Sequence, residues 1–405
     1  MMRKIGISVI FALPLMAQIN GAKYLIITAD NFYNQVLPLA NWKHKKGVPT
    51  KVVKVSEIGN SYPSIKSYIQ NAYNTWEVKP EYVLLFGAVE YLATGPSSQG
   101  YDHYYSDMEG NALPEIAVGR FPCQNTTQAQ TMVQKVFSFE KNLILNPDWY
   151  IKGLTIVNRD YDPSDTIYFR DARIAHNFWI QYGYTHIDSL RSDWGHNANT
   201  VINSVNDGRE FVLYRGTGVG NWYSPFEVNP YQTSNVKKLP IIISATCQTI
   251  AMYPYDEFAG ESWLRAGTPT NLKGASAFMG TTTLITGGAH YRSAFVRGFL
   301  KRVYGDSIFI LGDAFKAGKQ QIYDSTGNLS EVRSWQLLGD PEMNIWTKSP
   351  DSFLVIYPET IPTAYQTVQV IVQSKTTQNP VPDARVCIMD TNDIVYVYGE
   401  TDDSG

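Results

Sequence analysis

The sequence predicts an α/β fold: a largely parallel sheet flanked by helices, followed by a shorter antiparallel β segment. Three observations predict it. Short apolar runs bounded by polar or glycine positions recur along the first 346 residues and read as strands of a buried sheet. Patterns at helical spacing separate those runs, so the units are βα repeats with helices on both faces. Beyond Pro350 the apolar period shortens to two, the signature of antiparallel β.

Taken in order, Tyr24–Ile27 is the first strand, and Tyr82–Phe86 is another. Between them Ile65, Ile69, Ala72 and Trp76 recur at helical spacing after Pro63-Ser64, a suitable helix start. Ala129, Met132, Val133, Val136 and Glu140 mark a second helix after Thr126, and Leu154–Val157 a further strand. Its helix passes through Ile174 and Phe178 and stops at Gly183. Glu210–Tyr214, Leu239–Cys247 and Ala275–Gly280 complete the run of strands. In the last segment Val368, Val370 and Val372 alternate with polar residues. Val395 and Val397 do the same, and Pro362, Pro380 and Pro382 punctuate the stretch.

The chain has 405 residues, enough for two or three domains with a large core. A hydrophobic share of 44% without low-complexity tracts excludes a disordered protein. The formal charge is −3 with scattered Lys and Arg, so no basic face exists for nucleic acid or an anionic membrane.

Arg3 and Lys4 precede an apolar stretch from Ile5 to Met16, and small residues follow at Ala17, Gly21 and Ala22. This order is that of a secretory leader over residues 1–22, and it predicts a secreted or cell-surface protein. No later segment reaches the roughly 18 apolar residues of a membrane span. Three cysteines, Cys123, Cys247 and Cys387, leave at least one thiol free in an exported chain. They form neither a disulfide scaffold nor a zinc site.

Several segments carry a family resemblance. They are Pro114–Phe121, Tyr182–Thr185, Gly208–Gly218 with Trp222, the strand into Cys247, Gly260–Leu264 with Lys273–Ala275, and Leu337–Pro341. In their order and spacing the chain resembles the gingipain family of exported bacterial cysteine peptidases from Lys23 to Trp346. The resemblance implies a smaller N-terminal α/β subdomain over 23–104 and a caspase-like catalytic subdomain over 105–348. An Ig-like β domain over 349–405 follows. It ends too early to close a sandwich of about 100 residues, so further C-terminal domains are expected.

Cys247 ends one predicted strand and Thr217 follows another, the usual placement of a site at the carboxyl edge of a parallel sheet. The resemblance implies that Cys247 matches the nucleophile. It implies Glu115 as the acid supporting a histidine, and Gly218 with the Cys247 N–H as oxyanion donors. Thr217 occupies the histidine position, and Ile250 stands where the family usually keeps glycine.

Peptide hydrolysis by a thiol needs a thiolate, an oxyanion hole and an acid for the leaving amine. A hydroxyl at 217 supplies no acid–base chemistry near neutral pH. Of the six histidines, His290 in Thr286–Tyr291 is the candidate substitute base, because its loop follows the strand expected beside Cys247. A solvated loop histidine is the competing reading. Trp222 and Tyr291 read as pocket wall. Asp160, Asp162 and Asp165 offer oxygens at calcium-like spacing without the glycine and closing glutamate of an EF-hand. A structural calcium there is the one cofactor considered, and none is required.

Two functions remain open. One is a cysteine endopeptidase acting on protein or peptide substrates through Cys247 with a non-standard base. The other is an inactive pseudo-peptidase kept as a binding or adhesion module. A thiol-dependent esterase or acyltransferase is a weaker third reading.

Overall fold

The computed structural model describes residues 20–96, 100–144, 147–361, 367–390 and 396–405. The leader read over 1–22 lies almost wholly outside them, as do Pro362 and Val395. The chain begins with β1 (Tyr24–Thr28), α1 (Tyr33–Lys45), β2 (Thr50–Lys54), the single turn α2 (Val55–Ile58), α3 (Tyr62–Thr75) and β3 (Tyr82–Phe86). β4 (Ala117–Phe121), α4 (Thr126–Glu140), β5 (Lys152–Val157), α5 (Ser164–Gln181), β6 (His186–Arg191), α6 (Ala198–Asp207) and β7 (Phe211–Arg215) follow. A small hairpin, β8 (Gly218–Val219) and β9 (Asn221–Trp222), precedes β10 (Ile241–Ala245). Then come α7 (Ala259–Arg265), a second hairpin of β11 (Gly267–Thr268) and β12 (Asn271–Leu272), and β13 (Ala277–Thr281). α8 (Ala289–Leu300), α9 (Leu311–Thr326), α10 (Leu329–Ser334) and β14 (Trp335–Leu338) complete this part.

Local chemistry sets many of these boundaries. Ser61 caps α3 by accepting from Ser64 N, proline sits in its first turn, and Ile65, Ile69 and Ala72 are its buried face. Asn125 caps α4 and Asn197 caps α6 in the same way. The central strands β1, β3, β4, β7, β10 and β13 are buried at every position, as their apolar runs require.

Ten strands form one sheet in the order β2-β1-β3-β4-β14-β13-β10-β7-β5-β6. Every pairing is parallel except β13 with β14, so two parallel halves run in opposite directions. The carboxyl ends of β6, β5, β7, β10 and β13 therefore share an edge with the amino ends of β14 and β4. The β4–β14 seam is close: a Cβ on Gly119 would lie 2.3 Å from the Gly339 carbonyl, which requires glycine there.

Past Pro350 the antiparallel pattern takes the form of two strand pairs. They are β15 (Phe353–Ile356) with β16 (Ile371–Ser374), and β17 (Arg385–Met389) with β18 (Tyr396–Glu400). No helix among the described residues is long and apolar enough to cross a membrane.

A buried charge cluster ties the first half of the sheet together. Lys43 of α1 is fully buried, its Nζ 2.8 Å from Glu140, 2.7 Å from Asp340 and 2.7 Å from Glu342. Lys46 adds a second ammonium, 3.1 Å from Glu140 and 2.8 Å from Glu342. Tyr24 donates to Asp340 Oδ1 at 2.8 Å. The end of α4 and the turn after β14 are thereby fixed to α1. Burial opposes charge on Lys43, but the three carboxylates outweigh it and hold the ammonium well above its ordinary range. Burial also pushes Glu140 up, yet Lys43 and Lys46 prevail and hold it down to about 2.

Removing Lys43 leaves three buried carboxylates short of their main counterion. Lys43→Met should cost on the order of 3–5 kcal/mol in urea unfolding. The depressed Glu140 stabilises the fold above the unfolded carboxylate pKa of ~4.3 and stops doing so as pH falls through its folded value. The stability gap between the wild type and Glu140→Gln, followed by urea midpoints, should therefore be full above pH ~4.5 and close toward pH ~2.

A cleft at the carboxyl edge of the sheet

A cleft of about 330 Å³ opens where β5, β7, β10 and β13 end. The segment after β5 supplies Asp160 and Asp162, with Ser164 and Tyr168 from α5. Gly216 and Thr217 follow β7, and Thr246 and Cys247 follow β10. Residues 284–289 after β13 and Arg292 of α8 close the remaining wall.

Cys247 leaves β10 into a tight turn. Gln248 takes a positive φ of 29°, which lets its N–H reach Thr281 Oγ1 at 3.0 Å. The Cys247 thiol is half-buried, with Sγ 3.8 Å from the Ile285 carbonyl. Its backbone N–H has no hydrogen-bond partner among the described residues. Ile250, three residues on, is fully buried. A Cβ on Gly260 would stand 2.9 Å from Ile250 Cγ1, so this side chain fills the core rather than the cleft.

Thr217 lines the same cleft as Cys247, after the neighbouring strand. Its carbonyl accepts from Tyr214 Oη at 2.8 Å and from Tyr223 N at 3.3 Å, which fixes the turn. Gly216 before it has a φ of 149°, and a Cβ there would lie 2.6 Å from Asn158. Gly218 is buried and opens the β8–β9 hairpin. Trp222 is buried as well, stacked 4.5 Å from Tyr214 and donating to Ser244 Oγ at 2.9 Å. It supports the cleft from within the core.

The floor is held by Arg215, which is fully buried. Nη1 donates to Ala245 O at 2.6 Å and Nη2 to Ala289 O at 2.8 Å. Nε stands 3.0 Å from Asp171 Oδ2, a contact of charges whose angle is not that of a hydrogen bond. Ser293 donates to the other Asp171 oxygen at 2.7 Å. Burial lowers the Arg215 pKa against the pull of Asp171.

The other predicted residues lie as follows. Glu115 precedes β4 on the same edge, but four strand spacings separate β4 from β7, about 19 Å. Its Oε2 accepts from Met108 N at 2.6 Å, and it caps that turn. Arg120, in the strand that follows, pairs with Asp102 at 2.6 Å. The acids that do line the cleft are Asp160 and Asp162. His290 lies in the first turn of α8 and is exposed, its Nδ1 3.1 Å from Gly287 O and its ring 3.8 Å from that of Tyr291. Among the described residues that line the cleft there is no histidine.

The three aspartates of the candidate calcium segment make contacts within the protein. Asp165 pairs with Arg159 at 2.8 Å, Asp162 accepts from Ser164 N at 2.6 Å, and Asp160 accepts from Tyr168 Oη at 2.8 Å. No three His, Cys, Asp or Glu side chains converge as a metal group among the described residues.

Comparison with known proteins agrees with this architecture. Residues 18–346 match the family model described as peptidase family C25. Gingipain R2 of Porphyromonas gingivalis is 22% identical over 382 residues, covering 88% of this chain and 50% of the relative. Lys-gingipain W83 of the same organism is 22% identical over 321 residues, covering 75% of this chain and 17% of the relative. The chain thus spans half or less of the length of these curated relatives. The crystal structure of the Arg-specific cysteine proteinase gingipain R matches with a TM-score of 0.83 at 21% identity. That match covers 97% of this chain and 92% of the other, and it shows the shared fold.

Arg215→Met should leave the buried Asp171 with only the longer 3.8 Å ion pair to Arg170 and release the Ala245 and Ala289 carbonyls. A loss of roughly 3–5 kcal/mol is expected in urea unfolding. Asp171→Asn together with Arg215→Met should recover much of it.

Proposed function

The chain belongs to peptidase family C25, and from that premise we propose that it is a peptide-binding member that hydrolyses peptides poorly or not at all. The observation behind this reading is Thr217, which stands beside Cys247 at the neighbouring strand end of a cleft whose described lining holds no histidine. An imidazole would draw the thiol proton and return it to the leaving amine. Threonine does neither, and Asp160 and Asp162 are already engaged by Tyr168 Oη and Ser164 N. Loss of a general acid–base costs on the order of 10²- to 10⁴-fold, and an amine leaving group bears most of that loss.

The scaffold for binding persists beside the missing base. Arg215 holds the strand ends, the Cys247 N–H is unpartnered among the described residues, and the cleft has room for a side chain. The reading includes export, carried by the leader-like order from Arg3 to Ala22.

A second reading has one observation in its favour. The half-buried thiol and free N–H of Cys247, with Gly218 packed beside Thr246, suit acyl chemistry on a good leaving group. In that reading Cys247 is a nucleophile, and His290 would have to leave its contact with Gly287.

Labelling with a peptidyl thiol-reactive probe at neutral pH decides between them. The unmodified protein should label no faster than a simple thiol, and Thr217→His should label on the order of 10²- to 10⁴-fold faster. Cys247→Ala should not label. Rapid labelling of the unmodified protein that depends on the peptide would establish the nucleophile reading instead.

A further inference from the structure

We propose that the peptide ligands of the Cys247 cleft extend past its Asp160 wall and dock an aromatic or apolar side chain on two exposed rings, Tyr161 and Trp194, beyond the ends of β5 and β6. The proposal rests on the peptide-binding reading above and adds a flanking subsite to it.

The surface begins in the cleft wall itself. Asp160 and Asp162 line the cleft, and Tyr161 between them is 71% exposed. Consecutive Cα atoms lie about 3.8 Å apart, so this ring starts one residue from the cleft lining. Arg159 holds it, with the guanidinium carbon 4.5 Å from the ring centre. One strand further out Arg191 contacts two rings, 4.4 Å from that of Phe169 and 4.3 Å from that of Trp194. Trp194 is 60% exposed and ends the short turn Ser192–Trp194, which Gly195 closes with a φ of 77°. The His196 ring stands edge-on to it at 6.2 Å, and His196 Nδ1 accepts from Arg191 N at 3.0 Å.

The two loops are joined into one surface. Asp193 accepts from Arg191 Nε at 2.9 Å and from Arg159 Nη1 at 3.3 Å. Arg159 N donates to Ser192 Oγ at 2.9 Å. Both rings are therefore placed before any ligand arrives, which lowers the cost of binding.

The same contacts decide what this surface recognises. Arg159 pairs with Asp165 at 2.8 Å and with Asp193, and Arg191 pairs with Asp193 at 2.5 Å. Two cations meet two carboxylates, so the charge is satisfied within the surface and a charged ligand gains little. What stays open is ring surface, steadied by a cation and otherwise exposed. Tyrosine and tryptophan offer large contact area for little lost freedom, and they carry much of the binding energy at interfaces.

The distances suit a ligand that starts in the cleft. Cys247 follows β10, and β7, β5 and β6 are the next strands in order. Tyr161 is then about two strand spacings away and Trp194 about three, or roughly 10 to 14 Å. An extended chain covers ~3.3 Å per residue, so the docking side chain lies about three or four positions from the residue beside Cys247.

Pools of fluorescein-labelled dodecapeptides would be titrated against the full chain carrying Cys247→Ala, with binding read by anisotropy. The six central residues are randomised, and both flanks are Gly-Phe-Gly, Gly-Ser-Gly or Gly-Glu-Gly. The Phe pool should bind on the order of tenfold tighter than the Ser pool, the factor expected when a ring face is covered. It should also reduce acrylamide quenching of the exposed tryptophan, assigned by its loss in Trp194→Ala. Tyr161→Asn combined with Trp194→Ala should bring the Phe pool to the level of the Ser pool. Asparagine tolerates the left-handed backbone at 161, where φ is 58°. Trp194→Phe alone should keep part of the gain. The comparison of pools needs none of these ring variants. Equal binding of the Phe and Ser pools, a Glu pool as tight as the Phe pool, or a preference that survives the double variant would overturn the flanking subsite alone. Binding of no pool would overturn the peptide-cleft reading with it.

Discussion

Arg215 is the side chain on which the shape of the cleft depends. It leaves the end of β7, and from one buried guanidinium it reaches the end of β10 at Ala245, the start of α8 at Ala289, and α5 through Asp171. Ala245 and Ala289 are both buried, so the guanidinium donates where water does not reach. A planar group with five donors can serve them together, which a lysine cannot. The distance from Cys247 to the α8 wall is thus set by a rigid fork rather than by loop packing. Replacing such a pair with apolar residues is often neutral in stability, so its presence argues for fixed geometry at the cleft.

The Lys43 cluster performs a similar task in the other half of the sheet. There the reversal between β13 and β14 brings two parallel halves edge to edge. Asp340 and Glu342 follow β14, and their attachment to Lys43 fixes that turn against α1 and α4. The Leu337–Pro341 segment that carries the family resemblance is explained by this contact and by the tight Gly119–Gly339 approach. Both halves rely on buried cations to align backbone that the apolar core alone would leave free to slide.

Much of this fold is legible in the sequence because its strands are buried on both faces. Tyr82–Phe86 and Ile241–Ala245 are apolar without interruption, and no surface helix reads that way. Strand order is not legible, and it decides which acid stands near position 217. β5 lies beside β7 and β4 lies four strands away, so the acids after β5 line the cleft whereas Glu115 caps a distant turn. Asp160 and Asp162 were visible only as a cluster of oxygens. Arg292 gave no signal at all, since one arginine on an amphipathic helix usually faces solvent. His290 read as a loop residue because Gly287 and Gly288 precede it, yet the second glycine is the helix N-cap.

The charge arrangement bears on why a thiol would persist without its base. Arg292 on the cleft wall is nine-tenths buried and forms an ion pair with the buried Glu331 at 3.4 Å, which fixes the start of α8 against α10. On the proposed reading the cleft serves to bind a peptide. Such binding asks nothing of an imidazole. At the same sheet edge Cys247 turns on Gln248 and ends beside Ile285, so its position follows from the backbone geometry that shapes the cleft. Threonine at 217 keeps the turn, since the structural contacts there are made by its carbonyl. In the proposed reading, a hydroxyl at 217 offers no acid–base chemistry near neutral pH while the backbone that shapes the cleft stays in place.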